Sequence, residues 1–175
     1  MDLQSVLTTP CGNVSGLFYS RKLAVYNFTI YNQASGDGYR MLWNETVGKR
    51  GSNEIGSLLY MYLRDHVDST VKHVVITSDS TVAQNRNQYI TSLLMLIVQF
   101  LPNVLTIEQK FLEPGHTEME VDSMHSTIDS QRKHLKISCP YEWPVVLQTA
   151  RRTKPYQVSL QLFFKHRHTL CGFDE

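Results

Sequence analysis

Several acidic and histidine residues in this chain have types and spacing suited to holding a divalent cation. Asp79 lies just past the apolar run Val74-Val75-Ile76, which places a carboxylate at the mouth of a buried strand. Asp122, His125 and Asp129 recur at i, i+3 and i+7, so a helix there carries all three on one face. Ahead of that helix stands Gly115-His116-Thr117, at the end of the next strand. Magnesium and manganese take oxygen ligands, usually carboxylates from different elements, because two or three negative charges are needed to offset partial dehydration of the ion. Two ions held this way activate water and stabilise the leaving oxygen in phosphodiester cleavage. A third carboxylate is wanted, and Asp2 supplies it if Asp2-Leu3-Gln4 forms the edge of a strand; Glu54 is a fourth candidate. Each residue also has a plainer reading. Asp79 suits a turn or an N-cap, Asp122, His125 and Asp129 a solvated helix face, Asp2 a disordered terminus, and Glu54 a first-turn charge.

The elements that must position these groups follow from periodicity. Residues 23–31 are rich in Val, Tyr, Phe, Thr and Ile, with Ala24, Tyr26, Phe28 and Ile30 on one face, and predict a strand. Gly36-Asp37-Gly38 supplies a turn, and residues 39–43 return as the second strand of a hairpin. Ser52 as N-cap opens a helix with the apolar stripe Ile55, Leu58, Leu59, Tyr62 and Leu63. A buried strand over 72–78, a largely apolar helix over 85–101 closed by Pro102, a strand over 104–112 and a helix over 118–133 come next. A stiff Cys139-Pro140-Tyr141-Glu142-Trp143-Pro144 loop, a short helix over 144–151 and a strand over 157–164 complete the chain. Strands alternating with helices after an antiparallel start describe an α/β fold: a mixed sheet, hairpin plus parallel strands, flanked by helices on both faces. In such sheets the site lies beyond the strand ends, where Asp79 and Gly115 fall.

At 175 residues and 42% hydrophobic, the chain is expected to form one domain, residues 1–175, around one core. A net charge of +1 excludes a protein that lives on nucleic acid by charge alone, though local basic patches remain open. Arg151-Arg152 with Lys154, and Lys165-His166-Arg167-His168, are such patches, with Tyr156 or Phe164 as stacking partners; a solvated surface is the plainer reading. The three cysteines, Cys11, Cys139 and Cys171, are widely spaced and suit reduced thiols. No secretory signal or apolar run of bilayer length is visible, so no membrane partner and an intracellular setting, the nucleus included, are expected. The absence of Walker A, G-x-G-x-x-G and G-x-S-x-G patterns argues against a P-loop NTPase, a Rossmann dehydrogenase and an α/β-hydrolase.

Several of these motifs together carry a resemblance. Asp2-Leu3-Gln4, the run Phe18 to Phe28, Trp43-Asn44-Glu45-Thr46 with Arg50-Gly51-Ser52, Ser78-Asp79-Ser80 with Gln84-Asn85-Arg86-Asn87, and Gly115-His116-Thr117 with Asp122 and His125 resemble a large family of transposon-associated animal open reading frames. That family is similar to the RNase H-like, DDE-type transposases, and the resemblance extends to about Phe164. It implies an RNase H-like fold, a catalytic set at Asp2, Asp79 and Asp122 with His116 and His125, and metal ligands among Asp2, Asp79, Asp122 and Asp129. It also implies Mg2+ or Mn2+ as cofactor and DNA as partner. Asp129 stands as the alternative third acid. The chain departs from the family in Thr81-Val82-Ala83, where relatives carry a Cys-Gly-Gly-like turn, and in Asp129, where they often carry glutamate. The start at Met1 leaves almost no strand before Asp2, so an N-terminally truncated domain is expected.

The expected function is therefore metal-dependent phosphodiester cleavage and strand transfer on DNA, or descent from it. The alternatives are a non-catalytic remnant that binds nucleic acid or a protein, and a hydrolase of small phosphoesters. Fold resemblance cannot separate them, because function lives in the site.

Overall fold

The computed structural model describes residues 1–12, 16, 19, 21–82, 84–112 and 119–162. Its long hairpin, β3 (Leu23–Asn32) and β4 (Asp37–Asn44), is the backbone of a five-stranded sheet. β1 (Asp2–Leu3) and β2 (Leu7–Thr9) both run antiparallel along the free edge of β3, and β7 (Gln157–Leu160) lies parallel to β4 on the far side. The reversal sits one step earlier than the expected Gly36-Asp37-Gly38. Gly36 alone takes a positive φ, of 72°, while the Asn32 side chain accepts from the Ala34 and Ser35 N–H groups. Asp37 and Gly38 already belong to β4.

α1 (Ser52–His66) follows, with Gly51 rather than Ser52 at the N-cap position. β5 (His73–Ser78), α2 (Gln88–Phe100), β6 (Thr106–Phe111) and α3 (Glu120–Arg132) alternate as expected. α2 starts late because the Asn87 side chain accepts from the N–H groups of Tyr89 and Ile90, fixing the first turn there. A 3-10 turn (Pro140–Glu142) leads into α4 (Trp143–Thr149). No helix among the described residues is long and apolar enough to cross a membrane.

The expected parallel pairing of the two short apolar strands is present, from His73↔Thr106 to Ser78↔Phe111. A mixed sheet flanked by helices is also present, but this pair is not part of its ladder. β5 and β6 form a ladder of their own, joined to the larger sheet where the Met1 amino group donates to Thr77 O at 2.7 Å. Read across that bond, the strands lie in the order β4-β3-β1-β5-β6. One face of the pair is exposed, with Val75 at 54% accessibility.

The larger sheet is buried on both faces. Phe28, Ile30, Tyr39, Met41 and Trp43 form one core with Ile55, Leu58, Leu59, Tyr62 and Leu63 of α1 and Ile90, Leu94 and Ile97 of α2. The opposite face carries Val25 and Leu42, packed on Leu7, Ile128, Trp143 and Leu147. Directly paired residues share a face, so Thr29↔Arg40 and Asn27↔Leu42 also lie on this second side, beneath α3. The alternation in β3 therefore separates an apolar core from a partly polar one. Gly38 belongs to the same face, and a Cβ there would lie 2.5 Å from Met124 Cε and 2.7 Å from Tyr156 Cδ1, so only glycine admits the close approach of α3 and Tyr156.

Candidate metal centre

Asp2 is ordered by the sheet. It pairs with Thr29 across the β1–β3 ladder, which places its side chain on the face covered by α3. α3 presents Asp122 and His125 one turn apart. The Asp122 carboxylate caps its own helix, accepting from Met119 N at 2.8 Å, so its position is tied to the first turn. His125 is buried; its Nε2 lies 3.0 Å from Thr29 Oγ1 and its Nδ1 3.7 Å from Asp2 Oδ2. One ligand atom from each of Asp2, Asp122 and His125 lies within 4.8 Å of the others. Such a spread suits a shared ion with metal–oxygen distances of about 2.1 to 2.5 Å.

A buried polar layer holds α3 in this register. Arg40 Nη2 donates to Met124 O at 2.8 Å, and its guanidinium lies 4.2 Å from the centroid of the Tyr156 ring. Gln4 Nε2 donates to His125 O at 3.4 Å, while Asn27 Nδ2 donates to Gln4 Oε1 at 2.8 Å. Two α3 carbonyls are thereby tied to β4 and to the segment after β1.

Burial and crowding shift the ionisable groups. Burial, then the neighbouring charge of Asp79 and that of Asp122, pushes the Asp2 carboxyl up to about 6, against the Leu3 backbone hydrogen bond and the amino terminus. His125 is pushed down to about 3 by burial first, then by the Arg40 and Met1 charges. The imidazole is thus neutral across the physiological range, and the 3.7 Å approach to Asp2 is not an ion pair. When Nε2–H donates to Thr29 Oγ1, the Nδ1 lone pair faces Asp2, the form of histidine that binds a cation. Burial also lowers the Met1 amine, opposed by Asp2, Asp79 and Asp122.

The other candidate residues fall differently. Asp79 follows β5 at the expected strand end, yet both its oxygens are engaged: Oδ2 accepts from Thr81 Oγ1 and Oδ1 from Asn85 Nδ2 at 2.5 Å. It lies close enough to raise the Asp2 pKa but outside the group of three. Asp129 is two turns beyond Asp122 and forms an ion pair with Arg132, Nε to Oδ1 at 3.1 Å, so geometry places Asp122 rather than Asp129 beside Asp2. Glu54 accepts from Lys49 N at 2.8 Å, a loop-closing role at the helix start. His116 lies outside the described residues, as do Phe164 and Lys165-His166-Arg167-His168. Tyr156 is buried under Arg40 and is not free to stack on a base, and Lys154 is paired with Asp37 at 2.9 Å. Thr29, Gln4, Asn27 and Arg40 escape a reading of the sequence, because polar residues at alternate strand positions look like a solvent face.

Fold and site together define a mixed α/β domain with a carboxylate–histidine cluster between a sheet edge and a helix. Residues 20–173 match the family described as Domain of unknown function (DUF7869), and the chain belongs to that family. Asp79, Asp122, His125 and Asp129 lie within the matched stretch; Asp2 lies ahead of it. No curated protein and no solved structure matches the chain.

Proposed function

We propose that the chain is an RNase H-like domain derived from a DDE-type transposase. In this reading it performs, or descends from, metal-dependent phosphodiester cleavage and strand transfer on DNA. The observation that carries the reading is the convergence of Asp2 and Asp122 with His125 from a strand and a helix 120 positions apart in sequence, with ligand atoms within 4.8 Å. The donor set fits a hard divalent ion. Two carboxylates offset its charge, and a neutral imidazole inclines the site toward Mn2+ over Mg2+. Burial first, and then the Asp79 and Asp122 charges, raise the Asp2 pKa, and a bound cation would offset both. Bound there, the ion would supply Lewis acidity toward a phosphodiester oxygen. Asp2 and Asp122 would hold it, while Thr29 fixes the imidazole. The strand order across the Met1–Thr77 bond, antiparallel strands followed by parallel ones, supports the RNase H-like assignment, and DNA chemistry would place the protein in the nucleus.

A specific observation favours the second reading, a remnant that binds nucleic acid or a protein without cutting. Both oxygens of Asp79 are taken up by its own turn, as expected of a structural aspartate. Calorimetric titration of Mn2+ and a plasmid-nicking assay with Mn2+ or Mg2+ test the two readings together. Mn2+ binding with nicking that Asp79→Asn abolishes supports the enzyme. Binding without nicking leaves the remnant, and no binding of either ion overturns the metal site.

A further inference from the structure

The outer side of α2 differs from that of the other long helices. Its 13 residues include no acid and no base. Ile90, Leu94 and Ile97 are buried in the core shared with α1 and the sheet, yet Tyr89, Met95, Leu96 and Phe100 are 63%, 68%, 47% and 67% exposed. α1 and α3 leave no large apolar side chain exposed. Their outward positions carry Asn53, Ser57, Arg64 and Asp65 on the one and Glu120, Ser123, Ser126 and Ser130 on the other. A helix apolar on most of its circumference is ordinarily buried, so the outer side of α2 calls for an occupant.

The spacing shows which occupant fits. Tyr89, Leu93, Leu96 and Phe100 are separated by four, three and four positions, the period of a seam between two helices. The residue types, aromatic, leucine, leucine, aromatic, read the same from either end. A two-fold axis crossing α2 between Leu94 and Met95 therefore maps the seam onto itself, setting Tyr89 against Phe100 of the partner subunit and Leu93 against Leu96 of the partner subunit. Leu93 also anchors the seam to α1, since a Cβ added at Gly56 would lie 2.6 Å from Leu93 Cδ2. Charge points the same way. Like charges meet whenever a charged face is opposed to its own copy, whereas Gln88, Ser92 and Gln99 beside this seam are neutral. The four exposed side chains leave roughly 500 Å² in solvent, well over half of the ~800 Å² that each partner contributes to a standard interface.

We propose that the chain forms a two-fold dimer through α2, antiparallel to its copy, with Leu93 and Leu96 at the centre of the seam. α2 packs on the sheet face opposite α3, so the interface stands or falls without the metal reading.

Sedimentation equilibrium of the full chain tests this. The native chain is expected to dimerise, and Leu96→Glu, which places an unpaired carboxylate in the seam, should weaken association about tenfold or more while leaving the circular dichroism unchanged. Tyr89→Lys and Phe100→Glu should each weaken it as well. Together they should associate more tightly than either alone, because opposite charges then face each other across the axis, and that advantage should fade at high salt. Should Leu96→Glu fail to fold, the substitutions at the two exposed aromatic positions decide the matter. A native chain that stays monomeric, a dimer indifferent to Leu96→Glu, or a double variant no tighter than the singles overturns the proposal. A monomer whose Met95 resists peroxide oxidation assigns the face to another segment of the same chain and overturns the second copy.

Discussion

Asp2 Oδ2 and His125 Nδ1 stand 3.7 Å apart, and their shared environment moves the two ionisations in opposite directions. Burial disfavours charge on both, so the carboxyl rises to about 6 and the imidazole falls to about 3. A carboxylate and a neutral imidazole so placed carry negative charge that the Met1 amino group offsets only in part, while Arg40 is turned toward Met124 O and Tyr156. That relationship generates the following expectations.

Asp122, not Asp129, is expected to carry metal binding. In a thermal-unfolding assay, Mn2+ at about 100 times its dissociation constant should stabilise the native chain by about 2.7 kcal/mol. Asp122→Asn should remove most of that gain, whereas Asp129→Asn, which breaks only the pair with Arg132, should keep it. The reverse order would move the site along α3.

Asp2→Asn is expected to stabilise the chain in chelator at pH 7.5 and to leave it nearly unchanged at pH 4. The sign follows from a folded pKa above the unfolded value of 3.8. Stability from Asp2 is fully present below that value and is lost as pH rises through about 6. The gain at pH 7.5 should be about 1 to 3 kcal/mol, read by urea unfolding, with the Met1 amine, Asp79, Asp122 and His125 as the neighbouring titratable groups. A loss of stability at pH 7.5 would contradict the assigned shift.

His125 has the opposite signature. Its folded pKa lies below the unfolded value of 6.5, so its contribution is present above that value and is lost as pH falls through about 3. One proton taken up on unfolding costs at most about 1.4 kcal/mol per pH unit. In chelator, His125→Gln should therefore show a flatter decline between pH 6.5 and 4.5 than the native chain. Identical slopes would remove His125 as the source.

Asp79→Asn discriminates between the two functional readings. As a ligand, Asp79 is needed for the Mn2+ response, and its loss should abolish the shift in melting temperature. As a turn residue, it gives Asn85 a charged acceptor at 2.5 Å, and its loss should cost about 1 to 2 kcal/mol without touching the Mn2+ response. The hydrogen bonds already made by both oxygens lead us to expect weak nuclease activity at best from the native chain, measured as Mn2+-dependent plasmid nicking.

Local pattern was enough to place the hairpin, the alternation of helix and strand, the parallel partnership of β5 and β6, and Asp79 at a strand end. Period-2 and period-3.6 apolar spacing are local consequences of side-chain geometry, so they can be read without knowing what packs against them. The i, i+3 relation of Asp122 and His125 was legible for the same reason. Three matters belonged to tertiary structure alone. Asn27, Thr29 and Arg40 are buried because a second core and α3 cover their face of the sheet, and alternation cannot distinguish a polar core from a solvent face. Asp2 joins Asp122 only because β1 docks on β3 beneath α3, a contact between residues with no local signal linking them. The choice between Asp122 and Asp129, equivalent as points on a helical face, was made by where along its axis α3 crosses that strand.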